Sequence, residues 1–319
     1  MLAQNGMNKC RKCQAPATVF LARHKVSLCA EHFLEYVQKV VKKTIKKYRM
    51  INPYEKIAVA VSGGKDSAVL LHIIDAIYGE TLELVGLHVD LGINVQDYSR
   101  KSLERARNLC QKLNREFVVV DLKKEYQISM DLVKEKEDRL NRPYCAVCGT
   151  FKRYLLNRSS LNLGCEKLAT GHLLDDEVSV LLMNIINGNI DQLVRAGPRL
   201  EGNNSTMITR IKPLYEVSEL ETTLYTQIKG FGFQDEECPY AVGASTTIYK
   251  NLFHNIEENY PGTTIKFLQN YHKVLLQPLK TSYQMAQPLT LNRCSKCDGP
   301  TTEEICAFCN IRYLLTTKE

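Results

Sequence analysis

Residues 62–67 read S-G-G-K-D-S, which places two glycines, a lysine and two hydroxyls within six positions. A short apolar run at 57–61 precedes them, and an apolar-faced helix is predicted over about 68–78. Glycines let backbone N–H groups approach an anion, and the amino end of the following helix attracts negative charge. The sequence therefore predicts a phosphate-binding turn whose candidate nucleotide ligands are Ala60, Ser62, Gly63, Gly64, Lys65, Asp66 and Ser67.

This loop does not follow the Walker pattern, because no glycine lies five residues before Gly64 and Lys65 is followed by an aspartate. It resembles instead the pyrophosphate loop of N-type ATP pyrophosphatases. That resemblance implies cleavage of ATP between its α- and β-phosphates and transfer of AMP to a substrate oxygen. The alternative interpretation is a glycine-rich turn between a strand and a helix with no ligand.

Two further sets of residues have the spacing of tetrahedral zinc ligands. Each consists of two pairs, and each pair is separated by two residues. The sets are Cys10, Cys13, Cys29 and His32 near the amino end, and Cys294, Cys297, Cys306 and Cys309 near the carboxyl end. His24 is the competing fourth ligand of the first set, but the short spacing from Cys29 favours His32. Four protein ligands close a zinc site, so both sets are assigned to folding and RNA docking.

Three more cysteines form an incomplete set: Cys145 and Cys148 at a predicted helix start, and Cys238 about ninety residues later. Three thiols leave a metal site open, as in an iron–sulfur cluster with one iron free for another ligand. A metal-free alternative has one thiol carrying a persulfide and another resolving it. A third is inert burial, which is also our expectation for Cys110 and Cys165.

Apolar runs at 57–61, 84–89, 117–120 and 167–169 alternate with helical stretches, which predicts an α/β fold with a doubly wound parallel sheet. The carboxyl ends of such strands form the ligand crevice. Further candidate nucleotide ligands at this edge are His88, Asp90, Gly171, His172 and Asp175. His88 could equally be a buried structural histidine.

An acidic run, Asp175, Asp176 and Glu177, leads into the next predicted helix, over 178–187. Helix capping would account for one of these acids. Asp176 could act through Mg²⁺ or as a general base. Beyond it, we expect a strand over 207–214 and helices over 218–229, 248–258 and 265–275, followed by a linker over 278–288.

The composition describes a globular protein: 319 residues, 44% hydrophobic and 24% charged. No apolar stretch is long enough for a membrane span and the first residues lack a signal core, so we expect a cytoplasmic protein with no membrane partner. The net charge of +7 favours polyanions without naming one. Residues 42–49 concentrate it, either for RNA contact or as a solvated helix face.

Taken together, the loop at 62–67, the three cysteines, the Gly171-His172 motif with its acids and the flanking fingers resemble the tRNA 2-thiouridine synthetases related to TtuA. The resemblance covers nearly the whole chain. It implies a [4Fe–4S] cluster on Cys145, Cys148 and Cys238, ATP with Mg²⁺, two Zn²⁺ and a homodimer. It also implies sulfur from a ubiquitin-like carrier protein or inorganic sulfide, and catalytic roles for Lys152 and Asp176. One departure is Leu173, where the family usually has asparagine.

Within that family, the segments at 28–33, 145–154, 236–241 and 243–250 look most like enzymes acting on T-loop 5-methyluridine, position 54. The branch that thiolates the wobble uridine, position 34, is the alternative. The implied reaction is attack of the uridine C2 oxygen on the α-phosphorus of ATP, followed by replacement of AMP by sulfur. The base would have to leave its stack, and phosphate contacts would hold the tRNA.

Two other functions stay open. The same loop occurs in enzymes that use ammonia or an amine as nucleophile, although the three unpaired thiols argue against that chemistry. A non-catalytic zinc-finger RNA-binding protein would explain the fingers and the charge. The expected organisation has a finger at 1–33, a basic helix at 34–52, the catalytic domain at 53–277, and a linker with the second finger at 278–319.

Overall fold

The central sheet has six strands in the order β5-β4-β3-β6-β8-β7, and all neighbours run parallel except the edge pair β7 and β8. A computed structural model describes residues 9–231, 238–240, 245–284 and 291–317. Its strands are β1 (Val19–Leu21), β2 (Val26–Leu28), β3 (Lys56–Ala60), β4 (Glu83–Asp90), β5 (Glu116–Asp121), β6 (Lys167–Ala169), β7 (Arg199–Leu200), β8 (Thr209–Ile211), β9 (Asn292–Arg293) and β10 (Pro300–Thr301).

Helices cover both faces of this sheet, as the alternation of apolar runs predicted. They are α1 (Ala30–Lys47), α2 (Lys65–Tyr78), α3 (Tyr98–Lys112), α4 (Leu122–Tyr126), α5 (Met130–Glu135), α6 (Tyr144–Asn162), α7 (Leu174–Ile186), α8 (Ile190–Arg195), α9 (Glu219–Lys229), α10 (Ser245–Asn259), α11 (Thr263–Asn270), α12 (Leu276–Gln284) and α13 (Ala307–Thr316). Short 3₁₀ turns occupy Ala22–His24, Val95–Asp97 and Glu137–Arg139.

The predicted α/β fold with a parallel sheet is confirmed. The direction of strand addition reverses between β3 and β6, and in sheets of this kind the ligand crevice lies at the carboxyl ends of the strands at this switch point. Strand β3 lies in the middle of the sheet, and its residues Ile57, Ala58 and Val59 are fully buried. A continuous apolar run of this kind is what a strand covered on both faces requires.

Several element boundaries differ from the sequence-based expectation. Helices α2 and α7 begin three and four residues earlier than predicted. The predicted starts were too late because the polar first turns of these helices carry little apolar periodicity. The strand expected over 207–214 is only β8, and its antiparallel partner β7 was missed because it has two residues. The start of α9 was predicted correctly: Ser218 Oγ accepts from the Glu221 N–H, and the Glu221 carboxylate accepts from the Ser218 N–H.

The linker expected over 278–288 was wrong in its first part, because 276–284 is helical. A π-helical stretch, Tyr271–Leu275, joins α11 to α12 just before Pro278. Proline has no N–H to donate and its ring crowds the preceding turn, and a widened turn accommodates both effects. The expected boundary between 277 and 278 therefore falls inside a helix. Residues 285–288 of that linker lie outside the described residues.

Cys110 and Cys165 lie in the core, as expected. Cys110 is fully buried, and its sulfur packs against Gly86 of β4, where a Cβ atom would stand 2.4 Å from it. Burial raises the pKa of both thiols to about 11, so they remain protonated at neutral pH. Neither cysteine has the thiolate character that redox or metal chemistry requires.

Each terminal cysteine set lies around a small antiparallel hairpin, β1–β2 or β9–β10, and includes residues at the start of the helix that follows it. The second hairpin docks on α6 through α13, whose Phe308 stacks on Tyr154 with ring centroids 3.7 Å apart. Among the described residues, no helix is long and apolar enough to cross a bilayer.

The basic run at 42–49 covers the last turns of α1. Val37, Val41 and Ile45 on one face of this helix are buried, which leaves the lysines on the opposite face. Lys47 pairs with Glu216 at 2.6 Å. The solvated-face interpretation and RNA contact both remain compatible with this arrangement.

Candidate nucleotide and sulfur-transfer site

The glycine-rich loop lies between β3 and α2, at the carboxyl edge of the sheet. Gly63 has φ +83, and a Cβ atom there would lie 2.5 Å from the carbonyl oxygen of Ser102. A side chain at this position would therefore be strained and would also clash. The Ser62 N–H and hydroxyl both bond to the Ser67 hydroxyl, at 3.1 and 3.2 Å, and close the loop.

The loop after β6 packs against the same turn. A Cβ atom at Gly171 would stand 3.3 Å from backbone atoms of both Asp66 and Ser67. Glycine is thus needed for two loops from neighbouring strands to meet at the crevice. His172, next in the chain, is exposed and bonds through Nδ1 to the Thr170 hydroxyl at 2.9 Å.

Three carboxylates and two ammonium groups converge at this edge. Lys65 lies 3.4 Å from Asp66 and 2.9 Å from Glu219, and Lys250 lies 2.7 Å from Glu219 and 3.0 Å from Asp176. All five side chains are half-buried. With three acids against two bases, the group carries one net negative charge and is built from the partners that phosphate and a divalent cation would each select.

The electrostatics of this group follow from its geometry. Burial opposes ionisation of Glu219, but hydrogen bonds from Lys250 and Lys65 lower its pKa to about 2. Burial raises the pKa of Asp66, although Lys65 acts in the opposite direction. Burial also opposes the charge on Lys250, and Asp176 and Glu219 outweigh it and raise that pKa. Both lysines and Glu219 are therefore ionised at neutral pH.

Helix α9 holds the group in place. The Thr222 hydroxyl donates to Asp66 at 2.7 Å, and Asp175 accepts from the Glu219 N–H at 2.7 Å. Asp175 also pairs with His254 of α10 at 3.3 Å, so this predicted nucleotide ligand lies buried between two helices. Asp175 thereby positions α9 and α10 beside the loop.

The acids that open α7 have divided roles, as capping arguments suggested. Asp176 accepts the Leu173 N–H at 3.1 Å and so caps the helix, while its other oxygen faces Lys250. Glu177 pairs with Lys212 at 2.7 Å in a nearly buried contact. Leu173 is fully buried, which agrees with an apolar residue at the position where the family usually has asparagine.

The two residues at the end of β4 differ in access. His88 is buried, and its Nδ1 donates to the Val61 carbonyl at 2.7 Å, so the ring supports the strand that leads into the loop. Burial lowers the pKa of His88 and keeps it neutral. Asp90 is half-buried and accepts the Gly92 N–H at 2.9 Å, which shapes the turn after β4. The Nδ1 bond fits the structural interpretation of His88, while its buried Nε2 has no hydrogen-bond partner among the described residues.

The three unpaired cysteines meet at the amino end of α6. Burial raises the pKa of Cys148, Cys238 and Cys145 act in the same direction, and Lys152 opposes them. Cys145, Cys238 and Lys152 are thus all close enough to Cys148 to influence its pKa. Cys148 and Cys238 pack on the apolar cluster that also receives Ala60 and Val89, at the carboxyl ends of β3 and β4, which is the rim that carries the phosphate loop.

Aromatic contacts fasten the Cys238 segment to this helix. The Tyr240 hydroxyl donates to Asp131 at 2.9 Å, and its ring lies 4.7 Å from that of Tyr144, which directly precedes Cys145. The Tyr144 hydroxyl in turn donates to the carbonyl of Met130 at 3.1 Å. A cysteine ninety residues away in sequence is therefore held beside the pair on α6.

Each terminal cysteine set forms a compact group whose ligand atoms all lie within 4.8 Å of one another. The Cys13 and Cys29 sulfurs are 3.8 Å apart, and the Cys297 and Cys306 sulfurs are 3.7 Å apart. A tetrahedron of sulfurs about 2.3 Å from zinc has an edge of about 3.8 Å, so each group fits one zinc ion of its own. His32 belongs to the first group, whereas His24 bonds to Tyr36.

Sequence reasoning missed three residues of the site: Glu219, Thr222 and Lys250. In the sequence, Glu219 and Thr222 look like the acidic first turn of a capped helix, and Lys250 lies on a helix separated from the loop by nearly two hundred residues. Of these three residues, only Lys250 could have been noticed in the sequence, because it ends the segment 243–250 that resembles T-loop enzymes. Only the packing of α9 and α10 beside α2 and α7 reveals their place.

Models of two known protein families match the first finger and the domain that contains the phosphate loop. A family model described as a PP-loop domain matches residues 33–241, and one described as the N-terminal LIM domain of 2-thiouridine synthetase TtuA matches residues 9–34. The chain belongs to the TtuA-like family of tRNA thiolases.

Relatives from this family are similar in sequence to this chain along most of their length. The tRNA-5-methyluridine(54) 2-sulfurtransferase of Pyrococcus horikoshii is 38% identical, covering 94% of this chain and 92% of the relative. The Thermus thermophilus protein of the same name is 35% identical over 95% and 90%. Among solved structures, the U34-tRNA thiolase NcsA of Methanococcus maripaludis with its [4Fe–4S] cluster has a TM-score of 0.75 at 28% identity, covering 85% and 89%. The predicted family and fold are confirmed.

Proposed function

We propose that this protein is an ATP-dependent sulfurtransferase that converts 5-methyluridine 54 of tRNA to its 2-thio form. The observation that carries this proposal is the meeting of Cys145, Cys148 and Cys238 at the rim that carries the phosphate loop. The names of the relatives at 35% and 38% identity support the choice of position 54.

In this proposal the loop at 62–67 receives the phosphates of ATP. Its backbone N–H groups, Lys65 and Lys250 would neutralise pyrophosphate as it leaves the α-phosphorus. The uridine C2 oxygen attacks that phosphorus, the bond to the β-phosphate oxygen breaks, and the base becomes adenylated. Sulfur then adds at C2 and AMP leaves with the former uridine oxygen.

A magnesium ion fits the acids at this site. Asp66, Asp176 and Glu219 offer carboxylate oxygens at one edge of the sheet, and oxygen is the ligand that Mg²⁺ prefers. Bound there with ATP, Mg²⁺ would offset phosphate charge. Lys250 and Lys65 hold these carboxylates in place and would turn to phosphate when the nucleotide enters. We propose that Asp176 acts through Mg²⁺ or as a general base, and its ion pair with Lys250 orients it.

A cluster fits the three cysteines better than zinc does. Among the described residues, their sulfurs do not form a group within 4.8 Å as the finger sets do, and a zinc ion would require a fourth ligand. A [4Fe–4S] cluster bound by three cysteines would supply an iron without a protein ligand, able to activate sulfide. Lys152, beside Cys148, is exposed and would neutralise developing negative charge near the base.

The proposal also covers the zinc ions, the tRNA contact, the sulfur donor and the assembly. The two finger groups would hold two Zn²⁺, and the exposed face of α1 would contact the tRNA backbone. Sulfur would come from a ubiquitin-like carrier protein or inorganic sulfide, and the active form would be a homodimer in the cytoplasm. The division into 1–33, 34–52, 53–277 and 278–319 remains a proposal, as do the nucleotide roles of Ala60, His88, Asp90, Gly171, His172 and Asp175.

The direct test replaces Cys148 by alanine in the full-length protein and compares it with Cys165→Ala, a thiol of the core. Each variant, purified anaerobically, is incubated with ATP, sulfide and tRNA carrying 5-methyluridine, and the nucleosides are analysed by mass spectrometry. We expect the thionucleoside to disappear with Cys148→Ala and to persist with Cys165→Ala. Undiminished thiolation by Cys148→Ala would overturn the proposal.

A second candidate is thiolation of the wobble uridine, position 34. It is favoured by the structural likeness to the U34-tRNA thiolase. Two tRNA substrates separate the candidates, one with uridine 54 blocked by substitution and one with uridine 34 replaced. Sulfur that appears only on the substrate with an intact position 34 would select the wobble reaction.

A further inference from the structure

Two arginines, one on α6 and one on β8, have no protein partner among the described residues. Arg153 lies on α6, one turn after Gly149, and Arg210 lies on β8. Neither guanidinium makes a hydrogen bond or an ion pair within the described parts of the chain. Half-buried Arg210 differs in this respect from two other half-buried cations, Arg115, which pairs with Asp75, and Lys212, which pairs with Glu177.

Register and packing place both arginines where α6 lies against β8, and this junction between Arg153 and Arg210 is called the groove. Arg210 pairs with Leu168 across β6 and β8, so its side chain leaves the sheet on the face that α6 covers. Asn157 of α6 fastens the helix to the start of β8, because its side chain accepts the Ile208 N–H at 2.9 Å and donates to the Thr206 carbonyl at 2.8 Å. Arg153 lies one helical turn before Asn157 and therefore faces the same strand.

The Arg153 side chain folds back toward the cysteines. A Cβ atom at Gly149 would lie 2.9 Å from its Nη1, so the guanidinium lies over that glycine, next to Cys148. Arg210 is half-buried, and both burial and the charge of Arg153 lower its pKa. Two like charges are thus held near each other, and one of them is partly removed from water. An arriving anion would relieve the repulsion and provide acceptors for the unused donors.

We propose that Arg153 and Arg210 bind a backbone phosphate of the RNA next to the nucleotide that is modified. This inference rests on the proposed function, since it names tRNA as the ligand. An ATP phosphate has the same chemistry, but the loop at 62–67 and its two lysines already receive the nucleotide on the far side of β6. Arg153 is exposed, as a contact with a large substrate requires. An extruded base needs its flanking phosphate fixed close to the reacting atoms.

The test measures tRNA affinity of the full-length protein by fluorescence anisotropy over a range of salt concentrations, for Arg153→Gln and Arg210→Gln. Each variant should bind tRNA several-fold more weakly at low salt, and the slope of log affinity against log salt should fall by about one unit, the value for one lost phosphate contact. Arg210→Lys should keep part of the affinity because it keeps the charge.

The matched control is Arg100→Gln, which changes the charge equally on α3, where Asp97 and Glu104 already neutralise the guanidinium. Its affinity and slope should stay at the wild-type values. Unchanged affinity and slope in both groove variants would overturn the proposal. Unchanged tRNA binding with weakened ATP binding, measured by calorimetry, would also overturn it and assign the arginines to the nucleotide.

This test is independent of the reaction itself. If tRNA binds with the expected dependence on the two arginines but no thionucleoside forms, the groove proposal stands and the sulfurtransferase proposal falls. If thiolation proceeds while the arginine variants bind tRNA like the wild type, the reverse holds.

Discussion

Replacing Arg23 by methionine should destabilise the protein and weaken ATP binding at a distance. Arg23 lies in the amino-terminal finger hairpin, and its Nη2 lies 2.6 Å from the Glu221 carboxylate on α9. The side chains are only 12% and 4% exposed. The same nitrogen donates to the Tyr36 hydroxyl at 2.6 Å. This contact joins the finger to the helix that also touches the phosphate loop.

The magnitude follows from what the variant leaves behind. Removing one partner of a buried ion pair costs about 3–5 kcal/mol, because the other charge stays buried without compensation. Glu221 would keep two hydrogen bonds, from the Ser218 N–H at 2.9 Å and from Tyr36 at 3.0 Å. We therefore expect the lower end of the range, about 3 kcal/mol of unfolding free energy.

A double-mutant cycle isolates the pair. Glu221→Gln can keep the helix cap while it removes the charge, and Arg23→Met with Glu221→Gln leaves no buried ion. The double variant should be more stable than the sum of the two single effects by about 2 kcal/mol. Urea unfolding followed by far-ultraviolet circular dichroism measures this, since the chain has no tryptophan.

The control is Lys12→Gln, which breaks an exposed pair with Glu35 on the same finger and should cost less than about 1 kcal/mol. The KM for ATP should rise in Arg23→Met, because α9 carries Glu219 and Thr222 against the loop, and it should not change in Lys12→Gln. A coupling energy within experimental error of zero would refute the energetic reasoning. A normal KM in a destabilised Arg23→Met would refute the link to the loop.

Three further outcomes are expected. Gly63→Ala should fold but bind ATP at least about tenfold more weakly, because φ is +83 and the new Cβ meets the Ser102 carbonyl; calorimetry showing wild-type affinity would contradict this. Burial lowers the pKa of His72 to about 4, from 6.5, so stability present above pH 6.5 is lost as pH falls toward 4. Between pH 7 and 5 the wild type should lose about 1–2 kcal/mol more than His72→Gln in urea unfolding; equal losses would exclude this origin. Cys297→Ser should lower bound zinc from two ions per chain to one by elemental analysis, and two retained ions would argue against the second finger site.

Much of the site could be inferred from local sequence. The loop at 62–67 can be recognised from a strand, two glycines and a helix in order, and the finger sets can be recognised from short spacings. Both patterns consist of residues that are neighbours in the chain. The parallel strands were recognisable because Ile57, Ala58 and Val59 give β3 a continuous apolar run. Short or polar elements were not, since β7 has two residues and the first turns of α2 and α7 lack apolar periodicity.

The amino-acid sequence by itself determined the phosphate loop, the two finger groups, the pair Cys145 and Cys148 and the fold that carries them, because each depends on residues close in the chain or on repeated apolar periods. Only tertiary contacts bring Cys238, ninety residues later, to that pair. The tertiary structure alone decided which acids face the loop. Asp175 turned inward to α9 and α10, while Glu219 and Lys250 reached the site from distant helices. It also brought Arg153 and Arg210 into one groove. Contacts between elements far apart in sequence arise from packing, and packing leaves no local spacing in the chain.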